Sequence, residues 1–208
     1  MRIVTAAVHV VVPGIHHNPS WPDGWTDRAV EWTHDLWPDC SGEKFEYFAS
    51  FIFRRFGQKD RAVNLAALLA KRANRRVILT GHSNGTDVIV RALKIGVRAD
   101  VVNLIAPACE RDFWKSGLNA ALRNGRVGKV NIWISEHDSP MKLARLSKRM
   151  LGWAGLGYGT LGIDGPANIA PEVRHRVSIY TKAGWGHGSY FEPENFDGFM
   201  EELKNCSQ

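Results

Sequence analysis

Val77-Ile78-Leu79-Thr80-Gly81-His82-Ser83-Asn84-Gly85 carries the strongest local signal in the chain. Val77 to Thr80 is short, apolar and continuous rather than alternating, as in a strand buried on both faces. From Asp87 to Ile95 the pattern becomes helical. Between the two lies Gly-x-Ser-x-Gly. A strand that reverses at once into a helix needs small residues flanking the bend, and it holds the bend residue in strained backbone. The Ser83 hydroxyl then stands at the carboxyl edge of a sheet, at the positive end of a helix.

Outward from this unit, apolar runs alternate with helical patterns. Strands are expected at Ile3–Val12, Phe45–Phe53, Val77–Thr80, Val101–Ala106, Val130–Ile134 and Val177–Thr181. Ala62, Leu65, Ala66, Leu69 and Ala73 form a stripe at i, i+3, i+4 spacing, with Asp60 placed to cap that helix. Further helices are expected over Thr26–Leu36, Phe113–Leu122, Pro140–Leu151 and Glu194–Leu203. The alternation implies right-handed crossovers and about six mostly parallel strands with helices on both faces. His16 to Gly24 and the glycine-rich Gly152 to Pro166 break the alternation and read as loops placed to overhang a site.

The 208 residues (23.3 kDa) give an expectation of one domain spanning the whole chain. With 44% hydrophobic and 23% charged residues, the composition excludes a disordered, collagen-like or coiled-coil chain. No apolar run is long enough to cross a membrane. The net charge of +6 admits an anionic partner, but the basic residues are scattered. Lys71, Arg72, Arg75, Arg76 and Arg145, Lys148, Arg149 lie near ends of helical segments, without a nucleic-acid motif. Nucleic acid is therefore not an expected partner. Three cysteines, Cys40, Cys109 and Cys206, make neither a disulfide framework nor a zinc spacing. Reduced thiols in the cytoplasm are the simplest account. The opening stretch imitates a short signal peptide but lacks a cleavage site and is needed as a core strand.

A serine hydroxyl is a poor nucleophile without a base. Gly186-His187-Gly188 follows the last strand, where a loop can swing an imidazole over the sheet edge. The imidazole needs an acid to hold its tautomer. Asp138 lies in the loop after Val130–Ile134, just before Pro140, with Glu136 as its rival and helix capping as the bland alternative. A metal site on the adjacent pair His16 and His17 is disfavoured, because neighbouring side chains diverge and no third ligand is evident.

In this order, a first strand ending at Pro13-Gly14, then Ser83, Asp138 and His187, the chain resembles an α/β-hydrolase-fold serine hydrolase. Ser135-Glu136-His137-Asp138 is similar to the family's G-x-x-D, with Ser135 in place of Gly. Gly186-His187 is similar to its terminal G-H. The family's elbow follows its fifth strand and here follows the third, so the resemblance is to a minimal core lacking the first two strands, as in small lipases and esterases. It implies an oxyanion hole built from the N–H of Asn84 and, after the first strand, the N–H of Ile15, although Pro13 departs from the family's His-Gly. His16, Trp21 and Trp185 are candidates for the pocket wall, with Trp25 and Trp153 near them and core packing as the alternative. The implied activity is hydrolysis of a small ester through an acyl-enzyme, with no metal or organic cofactor. A thioesterase, amidase or acyltransferase could run on the same triad, and a catalytically silent binding protein or a nucleic-acid module stands further off.

Overall fold

The β-branched run Ala7–Val12 forms β1 and pairs on one side with β2 (Cys40–Lys44) and on the other with β3 (Val77–His82). The sheet continues through β4 (Ala99–Ile105), β5 (Val127–Ser135) and β6 (Val177–Lys182), in the order β2-β1-β3-β4-β5-β6. Every pairing is parallel. This computed structural model describes residues 6–14, 24–47, 57–135, 137–142, 146 and 159–208. Between the strands run α1 (Gly24–Leu36), α2 (Gln58–Ala70), α3 (Asn84–Lys94), α4 (Phe113–Ser116) and α5 (Leu118–Arg123), with a short helix at Leu161–Asp164 and a C-terminal helix at Pro193–Ser207.

Strand alternation sorts the core into two layers. Val8, Val10 and Val12 pack with Leu65 and Leu69 of α2, Val88 and Leu93 of α3 and Leu122 of α5. Val11 joins Trp25 and Trp32 of α1 and Phe196, Phe199 and Leu203 of the C-terminal helix on the opposite face. Each fully buried large side chain contributes about 1.5–3 kcal/mol.

The second strand departs from expectation. It lies at Cys40–Lys44 rather than at Phe45–Phe53; Phe45 to Tyr47 follow its end, and 48–53 fall outside the described residues. β2 is an edge strand with polar, half-buried residues, so it lacks the apolar run of a strand covered on both sides. Its place is set by α1. A Cβ on Gly42 would sit 2.9 Å from the Val30 backbone, and Lys44 Nζ bonds Asp27 Oδ1 at 2.5 Å. Two helix expectations also change. α2 starts at Gln58 behind Gly57 (φ 77°) with no side-chain cap, so Asp60 sits in the first turn instead of capping. Gly117 (φ 84°) splits the expected Phe113–Leu122 helix into α4 and α5.

A row of polar side chains crosses the α1 face of the sheet. Thr80, Asn103 and Asn131 are register neighbours on β3, β4 and β5, and His9 of β1 adjoins them. Asn131 Nδ2 donates to Asn103 Oδ1 at 2.9 Å, and Asn103 Nδ2 to Thr80 Oγ1 at 3.1 Å. Asn103 Nδ2 also reaches Ser207 Oγ (3.0 Å), and Asn131 Nδ2 reaches the Cys206 carbonyl (3.1 Å). Thr33 spends its proton on the Ala29 carbonyl, so His9 Nδ1 carries the hydrogen that Thr33 Oγ1 accepts at 2.9 Å. Nε2 is then the acceptor for Thr80 Oγ1 at 2.8 Å. Complete burial pushes His9 down to about 4, which keeps it neutral.

The arginines, scattered in sequence, gather at the amino-terminal edge of this sheet. Arg76, Arg98, Arg126 and Arg176 immediately precede β3, β4, β5 and β6. In a parallel α/β layer that edge collects the helix C-termini, whose unpaired carbonyls favour cations. Arg126 Nη1 donates to the Leu93 carbonyl at the end of α3, and Arg176 Nη1 to the Leu122 carbonyl at the end of α5 (2.7 Å).

Candidate active site

β1 is the point where the strand order reverses, since the chain leaves it toward β2 and returns to its other side at β3. Crevices form at such a point, beyond the carboxyl ends of the strands. Ser83 lies there, in the tight turn from β3 into α3, at φ 52° and ψ −120°. Such backbone costs on the order of 1–3 kcal/mol and persists only where its surroundings over-determine it. Here Ser83 N donates to the Ile105 carbonyl (3.0 Å). The Ser83 carbonyl accepts from Thr86 N (3.1 Å), Thr86 Oγ1 (2.5 Å) and Ala108 N (3.3 Å).

The two flanking glycines explain the motif. A Cβ on Gly81 would lie 2.7 Å from Ile89 Cδ1 and 3.1 Å from the Gly85 carbonyl carbon, so α3 leans directly on β3. A Cβ on Gly85 would lie 2.3 Å from the Val12 oxygen and 2.4 Å from the Pro13 oxygen. The end of β1 is therefore pressed against the start of α3. Gly14 continues that contact, with a Cβ position 3.1 Å from Ser83 Cβ. As the first residue of α3, Asn84 carries one of the N–H groups that a helix leaves without an internal acceptor. Ile15, His16, His17 and Trp21 lie outside the described residues, as do Glu136 and Trp153.

Asp138 and His187 come together. His187 Nδ1 is 2.7 Å from Asp138 Oδ2, and Asp138 is fully buried. The carboxylate accepts, so the shared proton is on Nδ1, and neutral His187 keeps Nε2 as an acceptor. Asp138 Oδ1 accepts from Met141 N at 2.9 Å, at the head of a helical turn over 139–142. Capping and imidazole pairing, alternatives in the sequence, are both present, one on each oxygen.

The His187 loop is fastened on three sides. Ser135 Oγ donates to the Trp185 carbonyl, and Gly186 N donates to Ser189 Oγ at 3.0 Å. His82 Nε2 stands 2.9 Å from the His187 carbonyl oxygen, and the two imidazole centroids are 4.7 Å apart. Burial first, and the neighbouring His187 second, push His82 down to about 3. It therefore serves as a neutral N–H donor. His82 and Thr86 carry no signal of their own in the sequence beyond their places in and beside the motif.

Of the pocket candidates, Trp25 stacks on Phe191 at 4.1 Å and is only 6% exposed, which places it in the core. Trp185 packs edge-on against Tyr190 (5.2 Å), with Lys182 Nζ over its ring. The latter part of the glycine-rich segment is strapped to the chain after β4. Gly159 N donates to the Ala108 carbonyl (3.0 Å) and Gly162 N to the Pro107 carbonyl (2.8 Å). Among the described residues no helix is long and apolar enough to cross a membrane, and no three His, Cys, Asp or Glu side chains gather as a metal site.

No protein-family model and no curated protein sequence matches the chain. Solved structures do. The predicted CIB-like hydrolase of Thermoplasma acidophilum aligns over 99% of this chain and 89% of its own, with 16% identity and a TM-score of 0.55. A Xanthomonas campestris pv. campestris protein assigned to the alpha/beta hydrolase superfamily aligns over 96% and 99%, with 16% identity and a TM-score of 0.53. The esterase domain of a Rhodothermus marinus protein aligns over 99% and 88%, with 12% identity and a TM-score of 0.57. The chain has the α/β-hydrolase fold, with six parallel strands among the described residues and the tight turn at Ser83 after the third of them.

Proposed function

We propose that this chain is a serine hydrolase that cleaves carboxylic esters through an acyl-enzyme. The observation that carries the reading is the 2.7 Å bond between Asp138 Oδ2 and His187 Nδ1, made by loops after β5 and β6 and fastened beside the Ser83 elbow. It leaves His187 Nε2 to take the Ser83 proton. Ser83 Oγ attacks the ester carbonyl, and the negative charge moves to the carbonyl oxygen, to be received by the N–H of Asn84 and by that of Ile15, the second donor that the family resemblance implies. Collapse of this intermediate breaks the C–O bond, and His187 gives its proton to the leaving alcohol. Water, deprotonated by His187, then attacks the acyl-enzyme. The second collapse releases the carboxylic acid and returns the proton to Ser83.

Incubation with a fluorophosphonate, followed by peptide mass spectrometry, tests the assignment. The reading expects one phosphonyl group per chain, on Ser83, and loss of ester hydrolysis in step with labelling. Labelling elsewhere, or undiminished hydrolysis in Ser83→Ala, overturns it. Esters and thioesters of one acyl group, assayed side by side, define the leaving group.

A further inference from the structure

A directed chain of hydrogen bonds runs beside the elbow. Asp87 can only accept, so the Gln58 atom facing Asp87 Oδ2 at 3.1 Å is the amide nitrogen. Arg61 can only donate, so the atom facing its Nη1 at 3.1 Å is Gln58 Oε1. With both ends of that amide fixed, Gln58 Nε2 also donates to Asn84 Oδ1 at 2.7 Å. The Asn84 nitrogen therefore turns to the Tyr47 hydroxyl, 3.1 Å away. That hydroxyl accepts from Asn84 and passes its own proton to the Pro13 carbonyl at 2.6 Å. Gln58 is 3% exposed and Asn84 fully buried, so the Gln58 bonds to Asn84 and Asp87 are shielded from water, while the links through Tyr47 and Arg61 are half-buried. Arg91 Nε anchors the far end on Asp87 at 2.8 Å.

The chain joins four elements at one spot, with Gln58 the first residue of α2. Tyr47 follows the edge strand β2, Pro13 follows β1, and Asn84 is the residue after Ser83. The Pro13 carbonyl it holds is the one already pressed against Gly85. Two charged residues, Asp87 and Arg61, dictate the direction of every bond in it.

We infer that Tyr47 and Gln58 are positioning residues for the proposed ester hydrolysis. They fix the backbone on both sides of Ser83, the turn at Pro13-Gly14 and the start of α3, and so fix where the oxyanion is received. This rests on the serine-hydrolase reading. Neither residue touches the reacting atoms.

The test uses the intact chain, a soluble ester and a fluorophosphonate. Tyr47→Phe removes the hydroxyl and keeps the ring. Gln58→Glu keeps the shape and replaces a donor with an acceptor beside Asp87. Each is expected to lower kcat by about tenfold or more while KM stays within about threefold, because the lost alignment matters most in the transition state. Phosphonylation of Ser83 slows by a similar factor, and the pH profile keeps its shape. The double variant loses no more than the worse single one, since both break one chain. Wild-type labelling at Ser83 with variants labelling at the wild-type rate overturns the inference and leaves the hydrolase reading intact. A reduced labelled fraction reacting at the wild-type rate also overturns it, since that is only a folding defect. No labelling of the wild type overturns the hydrolase reading, and this inference with it.

Discussion

The imidazole of His82 donates its Nε2 proton to the backbone carbonyl of His187, 2.9 Å away, so the residue before the proposed nucleophile holds the loop of the proposed base. The two rings lie 4.7 Å apart, yet burial depresses His82 to about 3. His82 is therefore neutral near neutral pH and acts there only as a donor. On the acid side, kcat/KM is expected to rise with a slope of one in log units, because one general base must be unprotonated and His82 adds no second ionisation there, then level off. His82→Gln should keep that slope and lose roughly tenfold in rate by loosening the loop. A slope of two in the wild type that falls to one in His82→Gln would show that His82 titrates too. His16→Gln and His17→Gln should leave the limb in place.

Asp138→Asn separates the two duties of one carboxylate. The Asn oxygen can still accept from Met141 N, so the helical turn over 139–142 is retained. Its amide nitrogen then faces His187 Nδ1, which must become the acceptor, and the hydrogen moves to Nε2. The expected outcome is a loss on the order of 10⁴ in kcat with little change in melting temperature. Glu136→Gln should cost far less. If the two losses come out reversed, Asp138 is a structural cap and the acid is Glu136.

Two glycines should respond oppositely to alanine. In Gly85→Ala the new methyl falls 2.3 and 2.4 Å from two carbonyl oxygens of backbone that has no room to retreat. A loss of more than about 2 kcal/mol is expected in urea unfolding, in the range of strained backbone sites. Gly198, inside the C-terminal helix, has nothing within 4 Å. Gly198→Ala should raise stability by about 0.5–1 kcal/mol. Equal effects at the two sites would contradict the packing of β1 against α3.

Acid should destabilise the fold before its carboxylates titrate. His9 and His82 are held near 4 and 3, below the unfolded value of 6.5. Between those values the unfolded chain binds more protons, so stability falls as pH falls. The contribution is complete above pH 6.5 and is lost progressively below it. At pH 5 the two together give a slope on the order of 2 kcal/mol per pH unit as an upper estimate. Urea titrations at pH 7, 6 and 5 measure it, and His9→Gln should remove about half. An unchanged slope in that variant would mean that His9 is already charged in the fold.

What the sequence disclosed follows from where each signal is stored. Gly81, Ser83 and Gly85 are legible because strand, bend and helix are consecutive, and one steric demand acts on five residues. Asp138 and His187 are legible because each ends a loop after a recognisable strand. β2 is not, because an edge strand paired only with β1 carries Cys-Ser-Gly-Glu-Lys, a sequence with no apolar run. The polar row is hidden for another reason. His9, Asn103 and Asn131 each stand alone among valines, leucines and isoleucines, and only the register sets them side by side. Tyr47 and Gln58 leave no trace at all, since their partners come from three separate elements.

The polar row also gives the fold an order of assembly. Asn103 and Asn131 complete their bonds on Ser207 and Cys206, and the Asn103 link spans 104 positions of the chain. A polypeptide emerging amino end first builds β1, β3, β4 and β5 long before those partners exist. Until the last turn arrives, that face of the sheet exposes amide groups that water must serve, and it cannot dry. Closure of this layer therefore waits on partners 104 and 75 positions further along the chain, and the sheet beneath the candidate site is sealed only when residues 206 and 207 dock on it.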